Sequence, residues 1–197
     1  MCIRDRDIRQ FFFKYRSYTP IPIAILIIYF ASEQKPYYLL GLVMLLFGES
    51  IRIWAVSYAG GKTRTRKVGA PALCTSGPYA FTRNPLYLGN MFMYIGIALV
   101  AGAPNIIFMI LIIFSFFMIQ YTLIVSLEEE TLTNLFGEVY RNYKKNVPPI
   151  FPRITPWKNK AETKRTLLLK TLKTEKRTLQ NVFLILALIF LKSQNIF

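Results

Sequence analysis

The residues best equipped for chemistry fall in two short stretches. Ser76-Gly77-Pro78-Tyr79-Ala80-Phe81-Thr82-Arg83-Asn84-Pro85-Leu86-Tyr87-Leu88-Gly89-Asn90 gathers a guanidinium, two amides and two phenols. Glu128-Glu129-Glu130, followed by Leu132, Phe136-Gly137, Tyr140 and Tyr143, gathers carboxylates and two further phenols. Arg83 with the amide of Asn84 suits a carboxylate, and the glutamates suit a cationic group, because charge-assisted hydrogen bonds are the strong ones. A ligand satisfying both is zwitterionic, as an amino acid is. Taken singly, Arg83 reads equally well as an arginine snorkelling at a membrane edge. The glutamate run alone reads as a solvated helix end, although negative charge at a helix C-terminus opposes the dipole and calls for a partner.

Much other chemistry is excluded. The 197 residues include no histidine, so an imidazole base, a His-ligated metal and a Ser-His-Asp triad are ruled out. Cys2 and Cys74 lie far apart and outside metal-ligand spacing, so neither a disulfide framework nor a metal site is expected. Gly61-Lys62-Thr63 resembles the end of a phosphate-binding loop, but Val56 stands where its first glycine is required. Without a histidine to activate it, Cys74 reads as an ordinary loop thiol.

The elements that position these stretches are helices in a membrane. Hydrophobic residues make up 53% of the chain and charged ones only 18%, against about 25% charged in an average soluble domain. A crossing helix needs about 20 mostly apolar residues. Residues 37–57 and 105–127 meet that length, the second without any charge. Residues 85–102 are slightly shorter, uncharged and opened by Pro85, a residue suited to a first helical turn. Residues 15–31 span only if Tyr15 to Tyr18 join Thr19 to Ala31 as an interfacial collar. The expected fold is thus all-α: a polytopic membrane bundle of four core spans over residues 1–157. Residues 158–197 add a basic linker and a short fifth apolar helix, Val182 to Leu191, about half a bilayer long. Lys158 to Lys176 reads either as a headgroup-binding segment or as a solvated tail. The opening Met-Cys-Ile-Arg-Asp-Arg has no apolar run of the signal-peptide kind and reads as extraneous sequence.

Net charge is +15, and its distribution follows topology. Lys and Arg number five before the first span, one in the next connection, five in the third and none in the fourth, with twelve following Leu127 before the last apolar run. Cytoplasmic connections carry the Lys/Arg excess, so both ends of the four-span core are expected in the cytoplasm. Basic residues spread in this way do not form a nucleic-acid-binding stripe. The short turn at Ala103-Pro104 makes spans three and four an antiparallel hairpin, so residues 76–90 and 128–152 must meet at one cytoplasmic membrane edge.

In order, spacing and membrane placement, Gly77-Pro78-Tyr79, Arg83-Asn84-Pro85-Leu86-Tyr87-Leu88-Gly89, then Glu128-Glu129 with Leu132, Phe136-Gly137, Tyr140, Tyr143 and Val147-Pro148, resemble the paired signatures of the isoprenylcysteine carboxyl methyltransferase and phospholipid methyltransferase superfamily. The resemblance covers roughly residues 48–152. It implies an integral membrane methyltransferase using S-adenosylmethionine, held at the cytoplasmic face, with a lipophilic or lipid acceptor arriving from the bilayer. From the residue types and the charge distribution, no metal and no nucleic-acid partner are expected. Carried over residue by residue, Arg83, Asn84, Tyr87 and Gly89 fall in the first cofactor motif and Glu128 and Glu129 in the second, with Tyr79 and Asn90 as further cofactor contacts. Glu129 is also expected to act in catalysis. Asn84 departs from the pattern, since many members have histidine there, and an amide cannot be protonated near neutral pH.

Arg52 stands three residues after Glu49 on one face of the second span, where charge is expensive and is paired or functional. Either the two form an ion pair, or Arg52 holds an anionic substrate group as a catalytic residue. Tyr140 and Tyr143 stand where they can close over a cofactor. A sterol-type reductase using NADPH shares part of the C-terminal signature, and a small transporter or scaffold is the non-enzymatic alternative.

Overall fold

The computed structural model describes residues 7–60, 68–158 and 165–195. Cys2, the Gly61-Lys62-Thr63 triplet and the basic residues Arg4, Arg6, Lys62, Arg64, Arg66 and Lys67 lie outside these. The described residues form six α-helices and a 3-10 turn: α1 (Ile8–Tyr15), α2 (Ile21–Tyr29), α3 (Tyr38–Ala59), the 3-10 turn Gly77–Ala80, α4 (Pro85–Ala101), α5 (Ile106–Asn146) and α6 (Leu168–Ser193). Among the described residues, α3 and α5 are long and apolar enough to cross a membrane, while α4 is apolar but has 17 residues. Large apolar side chains such as Leu39, Val43 and Leu46 on α3 and Ile107, Phe108 and Ile119 on α5 are exposed, as expected of helices solvated by lipid.

The expectation of one continuous first span over 15–31 is corrected. Proline at 20 and 22 cannot continue a preceding helix, so the chain turns between Tyr15 and Ile21 and forms two short helices. With nine residues, α2 is about 14 Å long, under half the hydrocarbon thickness.

The most extensive contact is between α3 and α4. Gly41 and Gly48 on α3 meet Gly96 and Gly89 on α4, a seven-residue repeat on each helix that lets the backbones touch. Without a strong hydrophobic force between helices in lipid, such close packing is what holds two spans together. Gly102 ends α4 in the left-handed conformation, φ 65°. Ser32 fastens the α2–α3 connection to that end: its N–H donates to Ala101 and its hydroxyl to the carbonyl of Gly102.

Two further expectations change. The fourth apolar run does not end its helix at Leu127, because α5 continues to Asn146 with a break at Gly137, φ 52°. Glu128 and Glu129 are therefore mid-helix, and the dipole argument for a partner does not apply to them. The C-terminal helix is longer than its apolar half, starting in the basic linker at Leu168. Its 26 residues run about 39 Å antiparallel to α3. Thr166 donates its N–H to Ser57 near one end of α3, and Lys35 donates to the hydroxyl of Ser193 at the other.

Candidate functional site

The turn Gly77–Ala80 and the start of α4 are pinned to the strand-like segment after α5. Arg83 donates its N–H to Pro148, Arg153 to Phe81 and Trp157 to Ala80, each at 2.9 Å. The Thr82 hydroxyl contacts the carbonyls of Pro149 and Ile150 at 3.1 and 3.0 Å, and the Asn84 amide donates to Pro149 at 2.9 Å. Tyr143 donates its phenol to the carbonyl of Tyr79 at 2.7 Å. Two stretches about 65 residues apart in sequence are thereby joined into one wall.

Arg83 is the hub of this wall. Its Nε and Nη2 donate to Glu129 Oε1, and its Nη1 donates to the carbonyls of Lys144 and Val147. The other carboxylate oxygen of Glu129 receives Lys144 Nζ at 2.7 Å. The two oppositely charged residues of the sequence motifs thus bind each other. Glu128, one residue earlier, accepts the Tyr87 phenol at 3.0 Å, and the Tyr87 ring stacks on Tyr121 with centroids 4.4 Å apart.

A cavity of about 250 Å³ opens along the wall. Of the residues singled out from sequence, Tyr79, Arg83, Asn84, Tyr87, Glu128 and Glu129 line it, as do Tyr140 and Tyr143. Cys74 lines it too. Enclosure within the protein pushes the Tyr79 phenol well above its ordinary range, with Cys74 and Glu128 adding to the effect, so it stays protonated as a donor. One side chain on the lining gave no sequence signal beyond its charge: Arg16, at the end of α1.

Arg52, Gly89 and Asn90 are not on that lining. Gly89 is where α3 crosses: a Cβ there would stand 2.7 Å from Arg52 Cγ and 2.8 Å from the Gly48 carbonyl. Arg52 sits behind the wall, donating to Asn90 Oδ1 at 2.5 Å, to Glu175 Oε2 at 2.5 Å and to Thr178 Oγ1 at 3.2 Å. Glu49, the partner suggested by sequence, is 3.7 Å away. Asn90 in turn donates to the phenol of Tyr121 at 3.1 Å, which links Arg52 through the Tyr121–Tyr87 stack to Glu128.

Sequence reasoning missed Glu175, which is only 1% exposed. The readable signal was the spacing of Thr171, Glu175 and Thr178, which puts three polar groups on one helical face amid lysines. Glu175→Gln is expected to destabilise the protein by about 1 to 3 kcal/mol, because a buried guanidinium loses its charged acceptor. The thermal midpoint in detergent reads this, with exposed Lys176→Gln as control, and equal midpoints would show that α6 does not dock through this pair. Among the described residues, no group of three or more Asp, Glu and Cys side chains is placed to hold a metal ion.

Comparison with known proteins adds to this geometry. A family model described as phospholipid methyltransferase matches residues 36–139. The protein-S-isoprenylcysteine O-methyltransferase of Rattus norvegicus is 34% identical over 120 residues, covering 58% of this chain and 40% of that protein. The human protein of the same name is 34% identical over 119 residues, with the same coverage. The nickel-cobalt-cadmium resistance protein NccN of Alcaligenes xylosoxydans xylosoxydans is 28% identical over 123 residues, covering 62% of this chain and 52% of that protein. The chain thus spans about 40% of the length of the isoprenylcysteine methyltransferases it matches.

Proposed function

We propose, from the premise that this chain belongs to the phospholipid methyltransferase family, that it is an integral membrane enzyme transferring a methyl group from S-adenosylmethionine to a lipophilic acceptor. The observation that carries this reading is the joining of two distant motifs, through Arg83 and Glu129, into one wall of a cavity also lined by Glu128, Tyr79 and Tyr87. The lining suits such a cofactor: carboxylate and guanidinium groups for its amino-acid end, and the phenols of Tyr79, Tyr140 and Tyr143 for its adenosine. Bound there, the sulfonium supplies an electrophilic methyl group.

The residues' task is then to hold and orient. Displacement at a sulfonium methyl needs the nucleophile in line, and such positioning supplies much of the rate. A carboxylate acceptor needs no general base, which suits a chain without histidine. Glu129 acts by fixing Arg83 and the wall. Arg52 acts from behind it, through Asn90 and Tyr121. The acceptor is a carboxylate on a prenylated thiol or an amine on a lipid headgroup, and the names of the rat and human relatives favour the first. A cytoplasmic placement of the cavity and the N-terminus agrees with Arg16 and Arg83 on the cavity lining and with Lys144 and Lys145 beside Arg83. Family membership favours methyl transfer over the NADPH-dependent reductase and the transporter or scaffold.

Calorimetry on the detergent-purified protein with S-adenosylmethionine, S-adenosylhomocysteine and NADPH tests this. The adenosyl ligands are expected to bind and NADPH not to. Binding of NADPH alone would replace the reading with the reductase, and binding of none by folded protein would favour the non-enzymatic one.

A further inference from the structure

Resting on that cofactor reading, we propose that Glu175, on the C-terminal helix α6, is a positioning residue for the cofactor site, setting the Tyr87 phenol and the Glu128 carboxylate through Arg52, Asn90 and Tyr121. Tyr87 and Glu128 line the cavity, whereas Glu175, Arg52, Asn90 and Tyr121 stand behind it. Helix α6 begins after residues 36–139, so the matched family region does not contain this end of the relay.

Each hydrogen bond of the relay imposes a direction on the next. Glu175 Oε2 holds Arg52 Nη2 at 2.5 Å, and Thr178, on the same face of α6, accepts from that nitrogen at 3.2 Å. The planar guanidinium is thereby fixed, and its Nη1 donates to Asn90 Oδ1 at 2.5 Å. An amide has one accepting end and one donating end. With the cation on its oxygen, Asn90 turns Nδ2 to the Tyr121 phenol, which accepts at 3.1 Å. The buried Tyr121 ring stacks on both Phe117 and Tyr87, with centroids 5.2 and 4.4 Å away. Tyr87, held in this way, donates its own phenol to Glu128 Oε2 at 3.0 Å.

Docking of α6 does not by itself account for the buried pair. The helix is fastened elsewhere: Thr166 donates its N–H to Ser57 at 2.7 Å, Lys35 donates to Ser193 at 3.0 Å, and Asn195 donates to Glu33 at 2.6 Å. Desolvating two charges offsets much of their attraction, so apolar residues of similar volume hold two helices as well as a buried ion pair does. What the pair supplies and apolar residues do not is orientation. Charge placed among membrane helices marks function for the same reason.

The probe is S-adenosylhomocysteine, titrated by calorimetry into the full chain in detergent, below the thermal midpoint of each variant. Glu175→Gln is expected to weaken its binding by about 2- to 30-fold, the range for a residue that acts on a ligand without touching it. Tyr121→Phe keeps the stacked ring, cuts the relay on the cavity side of Asn90, and should cost about as much. The double variant should bind no more weakly than the weaker single one, because each change breaks the same relay. Lys35→Ala loosens α6 at its other end and should leave affinity unchanged. A lowered midpoint with wild-type affinity in Glu175→Gln would overturn the proposal, since a purely structural role predicts it. So would losses that multiply in the double variant, or a loss in Lys35→Ala equal to that in Glu175→Gln. If Glu175→Gln yielded no folded protein, Tyr121→Phe would decide alone, and its wild-type affinity would overturn the relay. If the wild-type protein did not bind the probe, the cofactor reading would fall and this inference with it.

Discussion

Glu129→Ala is expected to abolish measurable S-adenosylhomocysteine binding and to lower stability by about 3 to 5 kcal/mol, the cost of removing one partner from a buried ion pair. Glu129 is 8% exposed and receives both Arg83 and Lys144. Its loss leaves the Arg83 guanidinium inside the wall without a counter-charge. Glu129→Gln keeps the shape and one acceptor, so its effect should be smaller in stability and still large in binding. If the pair acts as a unit, Arg83→Gln combined with Glu129→Gln should cost less than the sum of the two single changes. Thermal unfolding and calorimetry on the four proteins check this. Additive losses would show that the two residues act independently.

The second large effect is structural and lies far from any polar group. A Cβ on Gly48 would stand 2.6 Å from the Gly89 carbonyl oxygen and 2.8 Å from the Met93 backbone nitrogen. Backbone atoms cannot rotate away, so Gly48→Leu must push α3 and α4 apart along their whole contact. Overpacking of a tight core costs about 1 to 3 kcal/mol or more, and here it also displaces Arg52 from Asn90. Gly48→Leu is expected to yield little monodisperse protein in detergent, and size-exclusion elution after purification reads this directly. A normal yield with wild-type ligand affinity would mean that the α3–α4 contact is looser than described.

How legible this was in the sequence varied with the physics involved. Residues 37–57, 85–102 and 105–127 announce themselves because a long apolar run with few or no charges has few other fates than a lipid-solvated helix. The hairpin at Ala103-Pro104 then forces the two motifs to the same end. What the sequence could not convey is which polar groups would choose each other. Arg83 and Glu129 were identified as complementary to a ligand, and complementarity to each other satisfies the same chemistry. Gly89 stood in a motif and read as a cofactor contact, whereas its seven-residue offset from Gly96, mirrored by Gly41 and Gly48, has a packing reason. Hydropathy marks only the apolar half of the C-terminal helix, Leu168–Ser193. Its basic half becomes helical because Arg52 offers Glu175 and Thr178 a buried partner, which no local pattern contains. Arg16 was hidden for a related reason, since one basic residue among several near a membrane edge looks only like an orientation signal.

The central claim is that this cavity serves methyl transfer to a lipophilic acceptor. It is tested most directly by incubating the purified protein in lipid vesicles with methyl-labelled S-adenosylmethionine and a prenylated cysteine. The account predicts label in the organic phase, in a methyl ester that mild base cleaves to labelled methanol, and no such label with Glu129→Ala. Base-stable label would redirect the acceptor to a lipid amine. No label in any lipid-soluble product, from protein that is folded and binds S-adenosylhomocysteine, would contradict the account.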